Sequence, residues 1–199
     1  VSEQVSSRRR IVTNNVLVQA VESLEDTTAL DPAISEVRSV VNRVLRPGIV
    51  RDVLRGKPLG HPAHPIAILV PAGAWISAAV LDFIPGQEKA SQTLVGFGIL
   101  AVTPAAASGA ADWSALTQRQ QRVGLVHWAA NVTSIGLYSL SYVQRRRGKQ
   151  LSGKVLGLAG LAVVSGAGYL GGHLAYRQGA NVNTQRESDA EERDTNHAL

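Results

Sequence analysis

The sequence predicts an all-α, polytopic membrane protein: four transmembrane helices in a compact bundle, an amphipathic helical segment before them, and disordered ends. Three observations carry this expectation. Between Pro65 and Tyr176 charge is confined to short connectors, whereas both ends of the chain are rich in it. The apolar stretches between those connectors approach the roughly 20 residues that a helix needs to cross a bilayer. Fifteen of the nineteen glycines lie in the same region, as expected where helices meet closely in lipid. Nothing alternates with period two, and open strands would leave unpaired backbone groups in hydrocarbon.

Taken in order, residues 1–28 have no apolar period and are expected to be disordered. Their arginines are not followed by an apolar core, so VSEQVSSRRRIVTNN is not a secretory signal. Residues 29–60 form the amphipathic segment. Ile34, Val37, Val41, Val44 and Leu45 recur at helical spacing, Arg38, Arg43 and Arg46 sit off that stripe, and Pro47-Gly48 interrupts the run. Such a basic, one-sided segment is expected to lie in the headgroup plane, with docking onto a partner as the alternative.

Residues 61–178 form the transmembrane domain, with spans at about 65–83, 90–111, 123–143 and 155–176. Pro71 and Pro104 fall inside spans, where membrane helices tolerate a kink. Trp75, Trp113 and Trp128 and the tyrosines fall mostly near span ends, as interfacial aromatics do. Gly153, Gly157 and Gly160, followed by Gly168, Gly171 and Gly172, offer a small-residue face on the last span. Residues 179–199 read as a disordered acidic tail.

Composition excludes several function classes. The chain has no cysteine, which removes disulfides, iron–sulfur ligation and covalent haem attachment. A net charge of +5 and a pI near 10.0 would suit nucleic acid, but the basic residues gather at span edges. There they meet anionic headgroups and set orientation, and no nucleic-acid motif accompanies them. The expected partner is therefore the lipid bilayer. With four spans, the side holding both termini carries Arg46, Arg51, Arg55, Lys57, Arg119, Arg122, Arg177, Arg186 and Arg193 near the spans. The opposite side carries Lys89, Arg145, Arg146, Arg147, Lys149 and Lys154. The excess favours both termini in the cytoplasm, against the RRRGK connector, which argues the other way, and the expected location is the cytoplasmic membrane.

That topology sorts the histidines. Odd spans start and even spans finish on the side of the termini, so His61, His64, His127 and His173 all fall there, with Asp112 closing the second span. Polar residues also line up at helical spacing: His127, Asn131, Ser134 and Tyr138; Ser165, Tyr169, His173 and Tyr176; Thr103 or Pro104, Ser108 and Asp112. Outward-facing polar stripes are costly in lipid, so they are expected to converge inside the bundle. Imidazoles with a carboxylate can ligate zinc, iron or copper, and facing imidazoles can hold haem b. In this scheme His61, His64, His127 and His173 bind the haem or metal, Asp112 joins them as a metal ligand, and Asn131, Ser108 and Tyr169 support them. Hydrogen bonding to water, headgroups or backbone is the plainer role for the same histidines. Asp82, near the far end of the first span, reads as a boundary or capping residue.

GHPAHP at Gly60–Pro65, PAAASGAADW at Pro104–Trp113, His127 with Asn131, LYSLSY at Leu137–Tyr142 and GYLGGHLAYRQG at Gly168–Gly179 occur in this order. In these motifs, over about residues 55–180, the chain resembles a bacterial membrane family catalogued as domain-of-unknown-function family 2231. The resemblance implies a four-helix integral membrane protein. Some relatives look fused to a Rieske-type iron–sulfur domain, which implies a redox association. This chain has no cysteine, so a redox partner would be a separate protein. Three functions follow as expectations: a redox-associated haem- or metal-binding membrane protein, a non-catalytic scaffold that recruits a partner, and a metal-dependent membrane hydrolase. A homo-oligomer is compatible with each of them.

Overall fold

A computed structural model describes residues 15–180, and every regular element among them is helical. Helix α1 spans Val16–Glu25, α2 Asp31–Val44 and α3 Ile49–Leu54. The long helices follow: α4 His64–Ala67 with α5 Leu69–Leu81, then α6 Glu88–Trp113, α7 Gln118–Arg146 and α8 Gln150–Gly172. A π turn, His173–Arg177, prolongs α8.

Local chemistry sets these boundaries. The Asn15 side chain caps α1 by accepting from the Leu17 amide at 3.0 Å, which satisfies one of the free donors at a helix start. Thr117 and Gln120 form a reciprocal capping box that starts α7. Helices α4 and α5 are one apolar run interrupted at Ile68. Pro71 has no N–H to donate to the Ala67 carbonyl four residues back, so the ladder breaks there. Pro104 lies inside α6 without ending it.

The long helices run antiparallel. Helix α5 packs on α6, α6 on α7, α7 on α8, and α8 returns to α5, closing a four-helix bundle. Across its diagonal, the rings of Trp75 and Tyr138 stack with centroids 4.0 Å apart. Val95 and Ala78 complete that buried cluster. The α7–α8 contact is close because α8 presents glycine. The Ser134 hydroxyl donates to the Gly160 carbonyl at 2.9 Å, and Ser141 donates to Gly153 at 2.6 Å. Side chain to backbone bonding at this range requires the small-residue face that membrane helices use.

Several expectations need correction. Residues 16–25 are helical although the sequence reading placed them in a disordered tail. Their short apolar period, Val21 with Leu24, becomes decisive only when Val123 and Leu174 are there to cover it. Residues 1–14 and 181–199, which complete the two expected tails, lie outside the described residues. The amphipathic stripe of α2 does not simply face lipid. Ile34 is buried, Arg38 donates to Gln121, and Arg122 holds Asp31 through two bonds of 2.8 and 2.9 Å. One face of α2 is thus docked on the start of α7. In α8, Ser165 and Tyr169 point outward, with Tyr169 40% exposed, and Tyr176 is more exposed still. Of the expected polar stripe of the last span, only His173 is buried; Ser165, Tyr169 and Tyr176 lie outward, because the glycine face claims the interior.

Among the described residues, three helices are long and apolar enough to cross a membrane: His64–Leu81, Glu88–Trp113 and Gln150–Arg177. Helix α7 is long enough but falls outside that set, since Gln121, His127, Asn131, Ser134 and Ser141 dilute its apolar content.

Candidate functional site

The end of the bundle nearest the described N-terminus is built from the start of α4, the end of α6, the start of α7 and the end of α8. His64, at the first position of α4, lies against α6, and its Nδ1 is 2.8 Å from the Ala105 carbonyl oxygen. His127, on α7, lies against α8, with Nδ1 2.8 Å from the Ala167 carbonyl oxygen. A carbonyl only accepts, so in both rings Nδ1 carries the proton and Nε2 keeps its lone pair. Metal-binding histidines commonly have their tautomer set in this way.

The two imidazoles meet edge to face, with centroids 6.3 Å apart. Glycine makes room for them. A Cβ at Gly109 would come within 2.9 Å of the His64 ring, and one at Gly171 within 3.2 Å of His127. The Asn131 amide reaches back one turn, donating to the His127 carbonyl at 2.8 Å and lying 3.1 Å from its Nε2. Ser108 donates to the same Ala105 carbonyl that His64 uses, at 3.0 Å.

The remaining predicted site residues are placed differently. His61 is exposed on the approach to α4. His173 is buried, but its Nε2 lies 2.8 Å from Glu25 of α1, and Arg119 bonds the other oxygen of that carboxylate. This imidazole fastens the N-terminal helix to the bundle. Asp112 is buried one turn beyond Gly109, within the electrostatic reach of Arg55. Tyr169 faces outward. Of the four histidines, then, the structure brings two together, with Asn131 and Ser108 as their polar neighbours. No group of three or more His, Cys, Asp or Glu among the described residues is arranged to hold a metal ion.

A second polar cluster, at the opposite end, escaped sequence reasoning. Arg145 has no exposed side-chain surface and grips Asp82 with two bonds of 2.7 and 2.6 Å. Ser91 donates to Asp82 at 2.7 Å and accepts from Arg145, while Ser141 accepts from the Arg145 Nε at 3.1 Å. The Lys154 amine closes the site on the Asp82 carbonyl at 2.6 Å. Asp82 caps the C-terminus of α5, as the boundary reading expects, and is also one half of a buried ion pair, while Arg145 is no aqueous connector charge. Two signals were available in the sequence. A carboxylate in the last turn of an apolar span needs a partner. Gly153 and Gly157, four apart, leave the space that the Arg145 side chain fills. Because every polar nitrogen of the guanidinium is engaged, this cluster is a fastener and offers no open position for chemistry.

The fold is an all-helical bundle in which, among the described residues, three helices are long and apolar enough to cross a membrane. Residues 60–184 match the model of a family described as "Predicted membrane protein (DUF2231)". The chain belongs to that family. Neither among curated proteins nor among solved structures is there a significant match.

Proposed function

We propose that this chain is a four-span protein of the cytoplasmic membrane whose His64 and His127 bind one transition-metal ion in a redox-associated role. The observation that carries the reading is the imidazole pair. Two rings from helices far apart in sequence meet at 6.3 Å, each with Nδ1 tied to a neighbouring backbone carbonyl and a lone pair on Nε2, that of His127 facing the Asn131 amide at 3.1 Å. An ion of zinc, copper or iron character takes imidazole nitrogen at about 2.0–2.1 Å. Copper or iron there would supply one-electron chemistry. Haem b held through the same two nitrogens is the competing occupant, and its Soret band separates the two. The hydrolase alternative needs a third protein donor beside an open position, and no such third group joins the pair among the described residues. The scaffold alternative draws on the docked α1 and α2, which gather at the same end.

A fourth span rests on α7. Its 29 residues extend about 43 Å at 1.5 Å each, against a hydrocarbon core of about 30 Å. It runs antiparallel between two apolar helices, and Gln121, Ser134 and Ser141 are buried in the bundle. Termini in the cytoplasm are favoured further once Arg145 leaves the count of connector charges. The opposite side then keeps Lys89, Arg146, Arg147, Lys149 and Lys154.

The test is metal analysis and absorption spectroscopy of detergent-purified protein after growth with zinc, copper and iron. The expected result is about one ion per chain and no Soret band. That ion is lost in His64→Ala and His127→Ala but kept in His61→Ala and His173→Ala. A protein that retains no ion after supplementation, or that loses it equally in His173→Ala, overturns the reading.

A further inference from the structure

Helix α3, Ile49–Leu54, is built inside out. Its cation faces the protein: Arg51 donates to the Ser114 hydroxyl at 2.6 Å, to Asn42 Oδ1 at 3.2 Å and to the Leu45 carbonyl at 3.3 Å. Its apolar residues face away, with Ile49 84%, Val50 70% and Val53 53% exposed. Val40 and Val44 at the end of α2, and Leu59 beyond α3, are exposed as well. In water this arrangement leaves several aliphatic side chains solvated, each forgoing the favourable burial of its apolar surface.

The position of α3 relative to the spans says what covers that face. Ser114, the residue that Arg51 holds, directly follows the membrane-crossing helix Glu88–Trp113. The next membrane-crossing helix begins at His64, ten residues after α3 ends. Helix α3 is thus pinned at the level where one span stops and another starts, which is the headgroup boundary. The exposed basic residues Arg43 and Arg46 flank it, and Lys57, paired with Asp52, follows. Apolar residues beside cations are what an interfacial helix presents to acyl chains and phosphates.

We infer that the face formed by Val40, Val44, Ile49, Val50 and Val53 inserts into the lipid interface, so that α3 acts as a membrane-embedded brace for the bundle end that holds the histidine pair. The sequence alone assigned the whole 29–60 segment to the surface. The structure divides the work: the inner face of α2 docks on α7, and α3 with the end of α2 meets lipid. The inference needs only the membrane-crossing helices and is independent of metal binding at His64 and His127.

The absence of cysteine makes the test direct. Val50→Cys, Val53→Cys and, as an aqueous control, Thr28→Cys, each made singly, are labelled with an environment-sensitive fluorophore in lipid nanodiscs holding one protein each. Labels at Val50 and Val53 are expected to shift to the blue relative to Thr28. Lipids spin-labelled at the shallow depth of about 5–10 Å that interfacial helices reach should quench them. Water-like emission without lipid quenching at both positions overturns the inference. So does a blue shift that lipid quenchers leave untouched and that appears only in discs holding two copies, since a second chain would then cover the face.

Discussion

The Arg145–Asp82 pair allows the sharpest quantitative prediction. Its geometry is bidentate at 2.7 and 2.6 Å, with no exposed surface on the arginine side chain and 4% on the aspartate. Removing one partner strands the other as an uncompensated buried charge, which costs about 3–5 kcal/mol. Against a total stability of about 5–15 kcal/mol, Arg145→Met should therefore lose a large share of the folded population. Asp82→Asn, which keeps an acceptor for the guanidinium and for Ser91, should lose less and remain measurable. Replacing both partners by apolar residues, Arg145→Met with Asp82→Leu, removes the stranded charge and should recover much of the loss. The assay is unfolding in mild detergent by denaturant titration, followed by tryptophan fluorescence, since Trp75 stacks in the adjoining core. Single losses under about 1 kcal/mol, or a double variant whose loss is the sum of the singles, would refute the reasoning.

Two further outcomes follow from packing and from charge. Gly98→Ala places a Cβ 2.3 Å from the Trp75 Nε1, so the ring must move off Tyr138, at a cost of about 1–3 kcal/mol. Gly136→Ala, with open space around it, should be neutral in the same titration. Hydrogen bonding from Arg122, aided by Gln118, holds the Asp31 carboxyl below its usual 3.8 despite some burial. A lowered carboxyl stabilises the folded state above its unfolded value and loses that contribution as pH falls through the folded one. Docking of α2 should hence persist at neutral pH and weaken below about pH 4, read as faster hydrogen exchange in Asp31–Val44. Arg122→Gln should show the faster exchange already at neutral pH.

The legibility of the molecule divided along physical lines. Apolar length and glycine content are local properties, so the long helices and the closeness of α7 to α8 could be read directly from residues such as Gly153, Gly157 and Gly160. Their ends were harder. Hydropathy marks where lipid stops, whereas hydrogen bonding carries α7 on to Gln118 and Arg146. The common end of His64 and His127 followed from counting crossings, yet whether any two rings met depended on which helices are neighbours. His173 illustrates the difference. It lies at the expected level, but Glu25 of a helix the sequence reading had left disordered takes its nitrogen.

What the sequence by itself determined is that this chain belongs in a membrane as a set of helices, and at which end its histidines lie. Both follow from the length and order of its apolar runs. Only the tertiary structure decided which polar groups became partners. Asp82 and Arg145 lie 63 residues apart and so carry no shared periodicity, and a buried charge is satisfied by whatever the packed helices bring within about 3 Å. The same holds for α3. Its run IVRDVL reads as apolar with two charges, and the contacts of Arg51 turn Ile49, Val50 and Val53 away from the protein.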